Sequence, residues 1–303
     1  MAKITASMVA ELRGKTGAGM MDCKKALTET DGNIDDAVDF LRKKGLSAAA
    51  KKSSRVAAEG SVAAAGSETV GVIVEVNAET DFVAKNAEFC GFAAGVAQVV
   101  VDAAPADMEA LQQAAFPNTG RTVAEELTHQ ISTIGENINI RRFARHTVST
   151  GVVESYVHGG GKIGVVLELT TEKPNDTVAT VARQLAMHVA AAAPQYLCRD
   201  EVPADVVAKE KEIMRVKAIE SGKPENIVDK IIVGQINKFF GEICLIEQAF
   251  VIDPDQKINK VLENLGKEIG AEVTLTGYTR YMLGEGIEKR VDDFAAEVAS
   301  LTK

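Results

Sequence analysis

The feature of this sequence that most constrains its fold is an apolar segment that occurs twice. Residues 70–76 read VGVIVEV, and residues 163–169 read IGVVLEL. In the first segment valine occupies every second position, a period of two that is typical of a β-strand with one face packed on a core. A helical pattern follows each segment and ends near Pro105 in the first copy and at Pro194 in the second. The chain therefore contains two copies of one strand-and-helix unit.

Each copy carries two weaker strand patterns around the repeated segment. One precedes it, at residues 60–64 and 152–157, and one follows it, at residues 137–147 and 271–282. We expect each copy to form a three-stranded antiparallel sheet covered by helices, so the predicted fold class is α+β. The predicted core subdomains are residues 59–150 and, in two pieces, residues 151–202 and 241–285.

An inserted segment, residues 203–240, interrupts the second copy. It reads as two helices joined at Gly222-Lys223, with a proline near each start, and so predicts an antiparallel helical hairpin of the coiled-coil type. Val228 and Ile232 are left over as an exposed apolar strip, through which two copies of the chain could form a homodimer. The residues expected to face each other are Val206, Ile213, Val216 and Ile219 on one helix and Ile227, Ile231 and Phe239 on the other.

The N-terminal segment, residues 1–46, reads as three short helices. Asn33 is placed to cap the third, which is expected to end at Lys43-Lys44-Gly45. This small bundle resembles a ubiquitin-associated (UBA-like) domain. Residues 47–58, rich in alanine, lysine and serine, are predicted to be a linker, and residues 286–303 a C-terminal amphipathic helix.

Composition limits the functions that this chain can have. A net charge of −9 argues against direct binding to nucleic acid, whose phosphates require a basic surface. The sequence lacks an apolar run of the ~18 residues that a membrane span needs, and it lacks an apolar signal region, so we expect a cytoplasmic protein that binds no membrane. The four cysteines and four histidines show no metal-ligand spacing, and no nucleophile is paired with a base. The sequence predicts neither a cofactor, a metal site nor an enzyme.

A glycine-rich segment, residues 156–164 (YVHGGGKIG), matches the dinucleotide fingerprint GxGxxG. These glycines lie between two predicted strands and lead into a strand, so no helix N-terminus is available for a phosphate. A hairpin turn that needs positive φ is the preferred interpretation. His158 is then a turn residue or a surface contact.

Four residues, Thr80, Asp81, Phe82 and Val83, occupy the junction between the first repeated strand and its helix. A phenylalanine at such a junction is more often a plug beneath the next helix, and an aspartate there is usually a helix-start residue. The second copy has TEKPND at the same junction, without an aromatic residue. Because the same unit is expected to form there without it, the architecture does not need Phe82, which weakens its interpretation as a plug.

Two segments resemble the signatures of one family. Residues 75–85, EVNAETDFVAK, and residues 12–27, LRGKTGAGMMDCKKAL, are similar to the two signature motifs of translation elongation factor Ts. The resemblance implies a guanine-nucleotide exchange factor for the GTPase elongation factor Tu. It also implies that Asp81 and Phe82, within the segment from Thr80 to Val83, press beside the nucleotide site of the partner and dislodge its Mg²⁺, so that GDP leaves.

The same resemblance implies further contacts with the partner. Arg13, Met20 and Met21 would bind its GTPase domain, together with the C-terminal helix, and His158 would touch its β-barrel. We expect one of the two methionines to point outward, since neighbours on a helix face different ways. The competing hypothesis is a UBA-like adaptor or a chaperone-like binding module that leaves nucleotide release unchanged.

Overall fold

The computed structural model describes residues 4–222 and 224–288. The first half contains α1 (Ala6–Thr16), α2 (Met20–Glu29), α3 (Ile34–Lys52), β1 (Glu59–Gly66), β2 (Val70–Ala78), α4 (Asp81–Ala84), α5 (Ala87–Ala103), α6 (Met108–Gln113), α7 (Val123–Ile134) and β3 (Asn139–Thr147). The second contains β4 (Gly151–His158), β5 (Ile163–Thr170), α8 (Asp176–Ala192), α9 (Ala204–Glu220), α10 (Glu225–Ile243), α11 (Ile258–Ile269) and β6 (Thr274–Met282), with 3-10 turns at Arg199–Glu201 and Leu245–Glu247. The predicted C-terminal helix, from residue 289 onward, lies outside the described residues.

Two three-stranded antiparallel sheets form the centre of the molecule. Their orders are β1-β2-β3 and β4-β5-β6, so the two repeated segments, β2 and β5, are the central strands. The predicted α+β class and the two predicted sheets are confirmed. Each central strand carries a register shift at the same place in the repeat, next to Glu75 in β2 and next to Glu168 in β5.

The two sheets pack against each other, which buries the second face of β2. Ile73 lies in a small core between the sheets with Val62, Val153 and Val166. A side chain at Gly71 would overlap Val153 and Val166 of the opposite sheet. Glycine is therefore required at this position because the two backbones approach closely there.

The outer face of each sheet is covered by helices. On the first sheet α5 and α7 enclose a core in which Phe89 is fully buried, and on the second α8 and α11 enclose a core around Leu185. Each such side chain contributes roughly 1.5–3 kcal/mol by leaving water. These two cores hold the sheets rigid and so fix the loops at their ends.

The third helix is longer than predicted. It was expected to end at Gly45, but α3 continues to Lys52, so the first half of the predicted linker is helical. Gly45 is buried against Thr128 and Ser132 of α7, and the Lys52 ammonium donates a hydrogen bond to the carbonyl of Ile131. Packing on α7 therefore stabilises the helix across a residue that, in isolation, would favour its end.

The helical hairpin forms, but its faces differ from the prediction. Val228 and Ile232, expected to be exposed, are 1% and 6% exposed and pack with Met214 and Ala218 in the seam. The exposed apolar residues are instead Ile213, Val216, Ile219, Ile227 and Val233. Each helix carries apolar residues on two sides, so helical periodicity alone fits two rotations, and the structure adopts the one that places Ala218 in the seam.

Candidate functional site

A single helical turn, α4, lies where β2 passes into α5. The Thr80 hydroxyl caps it by accepting a hydrogen bond from the Val83 N–H at 3.4 Å. Asn86, two residues beyond the end of α4, caps α5: its side-chain oxygen accepts a hydrogen bond from the Glu88 N–H at 2.8 Å. Two consecutive caps force the chain into a tight corner and define the backbone of the predicted site.

Adjacent side chains on this turn point in opposite directions. Val83 is 9% exposed and packs into the core beneath α5, whereas Phe82 is 81% exposed. The buried plug considered for this junction is thus Val83, and Phe82 projects into solvent as predicted. Leaving a phenylalanine in water forgoes roughly 1.5–3 kcal/mol of burial, so the Phe82 ring adds little to the stability of this core and is available to contact another molecule.

Asp81 is an exposed carboxylate whose charge is paired locally. Its Oδ2 lies 2.8 Å from the Lys85 ammonium. The hydrogen bond and charge of Lys85 lower the pKa of Asp81, and the charge of Lys162 contributes further. Asp81 is therefore ionised at neutral pH. Lys162 belongs to the glycine-rich turn of the second sheet.

A loop after α7 holds the backbone that leads into the turn. The Glu136 carboxylate accepts hydrogen bonds from the N–H groups of Glu79 (3.1 Å) and Thr80 (3.0 Å) and from the Thr80 hydroxyl (2.6 Å). In return the Glu79 carboxylate accepts from the Asn137 N–H at 2.6 Å. Sequence reasoning missed Glu136, because no local pattern marks a bond between residues so far apart in the chain.

The N-terminal candidate residues lie together on the surface of the three-helix bundle. Arg13 on α1 lines a groove of about 760 Å³ with Met20 and Met21 at the start of α2. Met20 is 59% and Met21 75% exposed, so the expectation that only one would point outward was wrong. Both occupy the first turn of α2, beside the residues of α1 that line the same groove.

His158 is the last residue of β4 and is exposed. Its Nδ1 lies 2.9 Å from the Tyr156 hydroxyl oxygen, and the imidazole is otherwise open to solvent. Gly159, Gly160 and Gly161 follow with φ values of 61°, 67° and 94°. These angles belong to a hairpin turn between β4 and β5. The interpretation of the glycines as a turn is therefore confirmed, and they do not form the strand-to-helix loop of a dinucleotide-binding site.

The described part of the chain offers little for other chemistry. Within residues 4–222 and 224–288 no cluster of three or more His, Cys, Asp or Glu side chains could hold a metal ion. In the same residues no helix is both long and apolar enough to cross a membrane. Fold and site together define a class: a duplicated, two-sheet α+β protein with a helical head and a fixed turn that projects an acid and an aromatic ring.

Comparison with known proteins identifies the family. A family model for elongation factor Ts matches residues 79–285. Elongation factor Ts of Syntrophotalea carbinolica is 70% identical over 302 residues, covering 99% of this chain and 100% of the relative. Those of Magnetococcus marinus (53% over 300 residues, 99% of both chains) and Clostridium perfringens (51% over 300 residues, 98% and 99%) are also similar. The chain belongs to the elongation factor Ts family and is thereby a translation elongation factor.

Proposed function

We propose that this protein is a guanine-nucleotide exchange factor for elongation factor Tu and works in the cytoplasm without a cofactor of its own. The observation that carries the proposal is the 81% exposure of Phe82 on a turn whose backbone is fixed by two caps and by Glu136. A rigid apolar probe beside a carboxylate suits insertion into a partner. Asp81 and Phe82 enter beside the nucleotide site of the GTPase and displace Mg²⁺ and the phosphate-binding loop, which together retain GDP.

Such a factor needs no chemical step of its own. Exchange follows from a coupling free energy between two ligands of the GTPase. If the factor binds the nucleotide-free GTPase more tightly than the GDP-bound form, then GDP lowers the affinity for the factor, and the factor lowers the affinity for GDP by the same ratio. Thr80 and Val83 act by fixing the turn from below. Arg13, Met20 and Met21 add a second contact with the partner, and His158 adds a third. The free energy of binding at these contacts, which lie away from the nucleotide site, helps to offset the cost of displacing the nucleotide.

The decisive experiment follows release of a fluorescent GDP analogue from purified elongation factor Tu, with and without this protein. We expect release to accelerate and Phe82→Ala to reduce the acceleration by more than about tenfold, as for a central apolar anchor. Met187→Ala is the matched control, since Met187 is an exposed apolar residue (42%) on α8 of the other half. Tm should stay the same in both variants, because neither side chain lies in a core.

Two results would count against the proposal. A protein that binds elongation factor Tu and leaves GDP release unchanged is an adaptor or chaperone-like module. Phe82→Ala with wild-type exchange, or with the lower Tm that a core loss of ~3–5 kcal/mol produces, would remove Phe82 from the site.

The helical hairpin is a second surface that could join two copies of the chain. We keep the homodimer as a proposal but assign it to different residues from those predicted. Val216, Ile219 and Ile227 form the exposed apolar strip, whereas Val228 and Ile232 are buried within the hairpin.

A further inference from the structure

The Phe82 side chain is mostly exposed, so packing does little to set its position. With four fifths of its side chain in solvent, its direction is inherited from the backbone of α4. That helix is one turn long and is too short to be stable alone. Whatever fixes residues 79 and 80, where the chain enters the turn, therefore fixes the aromatic ring.

Glu136 is the group that fixes this entry. One of its oxygens accepts the N–H groups of Glu79 and Thr80, and the other accepts the Thr80 hydroxyl at 2.6 Å. Hydrogen bonds to an ionised acceptor are about twice as strong as neutral ones. The Thr80 hydroxyl oxygen also accepts from the Val83 N–H, so the Glu136 carboxylate is linked through one atom to the cap of α4.

The carboxylate is itself held by a rigid support. It follows Gly135, whose φ of 91° ends α7, and it precedes Asn137, whose N–H is bound by Glu79. The Asn137 side chain donates to the Arg55 carbonyl at 2.7 Å. Hydrogen bonds thus join residues 79–80 and residues 136–137 in both directions, and the C-terminal end of α7 anchors them.

We infer that Glu136 is a positioning residue for nucleotide exchange: its carboxylate, anchored at the end of α7, holds the Thr80–Asp81–Phe82 turn in the orientation that enters the partner. The inference rests on the proposed function. Glu136 acts through the turn, so its loss slows release from the bound complex more than it weakens formation of that complex.

The first test separates these two quantities. The rate of GDP release is measured against factor concentration, which gives a maximum rate and a half-saturating concentration. Glu136→Ala should lower the maximum rate by about tenfold, because displacing a positioned group by about 1 Å can cost up to about a hundredfold in rate. The half-saturating concentration should stay within about twofold, since the other contacts are intact. Glu136→Gln, whose amide keeps the size and one acceptor, should recover most of the rate.

The matched control is Glu154→Ala. Glu154 is a partly buried glutamate of β4 in the second sheet, and its carboxylate accepts a hydrogen bond from Arg183 of α8 at 2.8 Å. It should leave both quantities unchanged. An equal fall in the Glu136→Ala and Glu154→Ala variants, or a Glu136→Ala variant with the wild-type maximum rate, would overturn the inference.

A second test does not depend on exchange activity. The chain contains no tryptophan, so Phe82→Trp introduces a single indole at the tip of the turn, which can be excited selectively over the four tyrosines. Its anisotropy decay should report a fixed indole when Glu136 is present and a mobile one in the Glu136→Ala background, and the amides of Glu79 and Thr80 should lose their protection from hydrogen exchange. If the wild type does not accelerate GDP release, the proposed function fails and these readouts still decide the positioning role. An indole that is equally fixed in both backgrounds overturns that role.

Thr80→Val provides a further comparison, because it removes the hydroxyl that joins Glu136 to the cap while keeping the volume. If carboxylate and hydroxyl act as one unit, the double variant should release GDP about as slowly as the slower single variant. A rate equal to the product of the two single effects would show that they act independently and would contradict the inference. If Glu136→Ala does not fold, Glu136→Asp, whose carboxylate is one methylene too short for the three donors, makes the same comparison in combination with Thr80→Val.

Discussion

Phe82 and Val83 are adjacent in the sequence, but the first is exposed and the second is buried. Both are apolar, and sequence statistics place both in a core. The caps at Thr80 and Asn86 determine which one turns inward, because they set the rotation of a helix only one turn long. Residue type therefore could not identify the exposed member. The internal comparison with the second copy, which lacks an aromatic there, only weakened the interpretation of Phe82 as a plug.

Met20 and Met21 present the same question at the N-terminal surface. Because both are exposed, we expect Met20→Ala and Met21→Ala each to accelerate dissociation of the complex with elongation factor Tu, by about fivefold or more for the one nearer the centre of the contact. Stopped-flow dissociation measures this, with Met187→Ala as an exposed methionine outside the proposed contacts. Dissociation rates equal to the wild type in both variants would exclude this groove from the interface.

Among the helices, α7 contacts both α3 and the turn that carries Phe82, which lie in different segments of the chain. Its body supports α3 through Gly45, and its C-terminal end supplies Glu136 to the Phe82 turn. Arg42 of α3 also forms an ion pair with Glu125 of α7. These contacts join residues far apart in the sequence, so no periodicity predicted them. The extension of α3 to Lys52 was missed for the same reason.

The helical hairpin is an element that should be removable. Its base packs on the second subdomain through Val202, Phe240 and Ile243, whereas the described residues nearer its tip pack only on each other. Replacing residues 210–235 with a short Gly/Ser turn should leave a folded protein with substantial exchange activity, because insertions of this kind are tolerated when the host does not need them.

Two measurements examine the shortened protein: GDP release and sedimentation. If the strip of Val216, Ile219 and Ile227 joins two copies, the deletion should also convert a dimer into a monomer. A point variant, Val216→Glu in the full chain, is the control that keeps the hairpin and should have the same effect on sedimentation. A shortened protein that is folded but inactive would instead place the hairpin in the site for the partner.

For the whole molecule, a buried carboxylate ties the two halves together. Glu75 of β2 is fully buried and accepts hydrogen bonds from Arg141 (3.0 Å) and Arg142 (2.6 Å) of β3 and from the N–H of Gly284 (2.8 Å), beyond β6. Burial alone would raise the pKa of Glu75, but the Gly284 N–H and the two guanidinium groups outweigh it and hold the pKa below its ordinary value of 4.5.

This shift gives stability a defined dependence on pH. The folded pKa lies below the unfolded one, so as pH falls the unfolded chain takes up the proton first. The contribution of Glu75 is therefore complete above about pH 4.5 and is lost below it, at no more than about 1.4 kcal/mol per pH unit. Urea unfolding between pH 7 and pH 3.5 should show a flatter decline for Glu75→Gln than for the wild type.

Glu154 provides a control of opposite sign. Burial raises the pKa of this carboxyl in spite of its Arg183 partner, so the folded state takes up the proton first and the group favours folding as pH falls. Glu154→Gln should therefore steepen the decline. Parallel pH profiles for the wild type and Glu75→Gln would show that the pairing of Glu75 with Arg141 and Arg142 does not stabilise the fold.

The sequence predicted the features that local patterns determine better than those that depend on contacts between residues far apart in the chain. The strands were placed to within a few residues because alternation in β2 and β5 is a local signal that the duplication repeats. Val206 and Phe239 pack at the base of the hairpin as predicted, whereas Val228 and Ile232 nearer the tip were assigned to the wrong face, because two helical rotations fit the same pattern. Glu136 was not predicted, since its role depends on a contact across 56 residues.

The close approach of the two sheets has a consequence for what each half can become. Gly71 of one sheet lies against Val153 and Val166, and its repeat counterpart Gly164 lies against Val62 and Ile73, which are the counterparts of those same valines. Such reciprocity is the signature of a two-fold interface between identical subunits. In a dimer of separate chains, any new side chain would appear twice. Joined in one chain, the halves keep the interface of a symmetric pair yet change independently, so one carries the Phe82 turn and the other the hairpin.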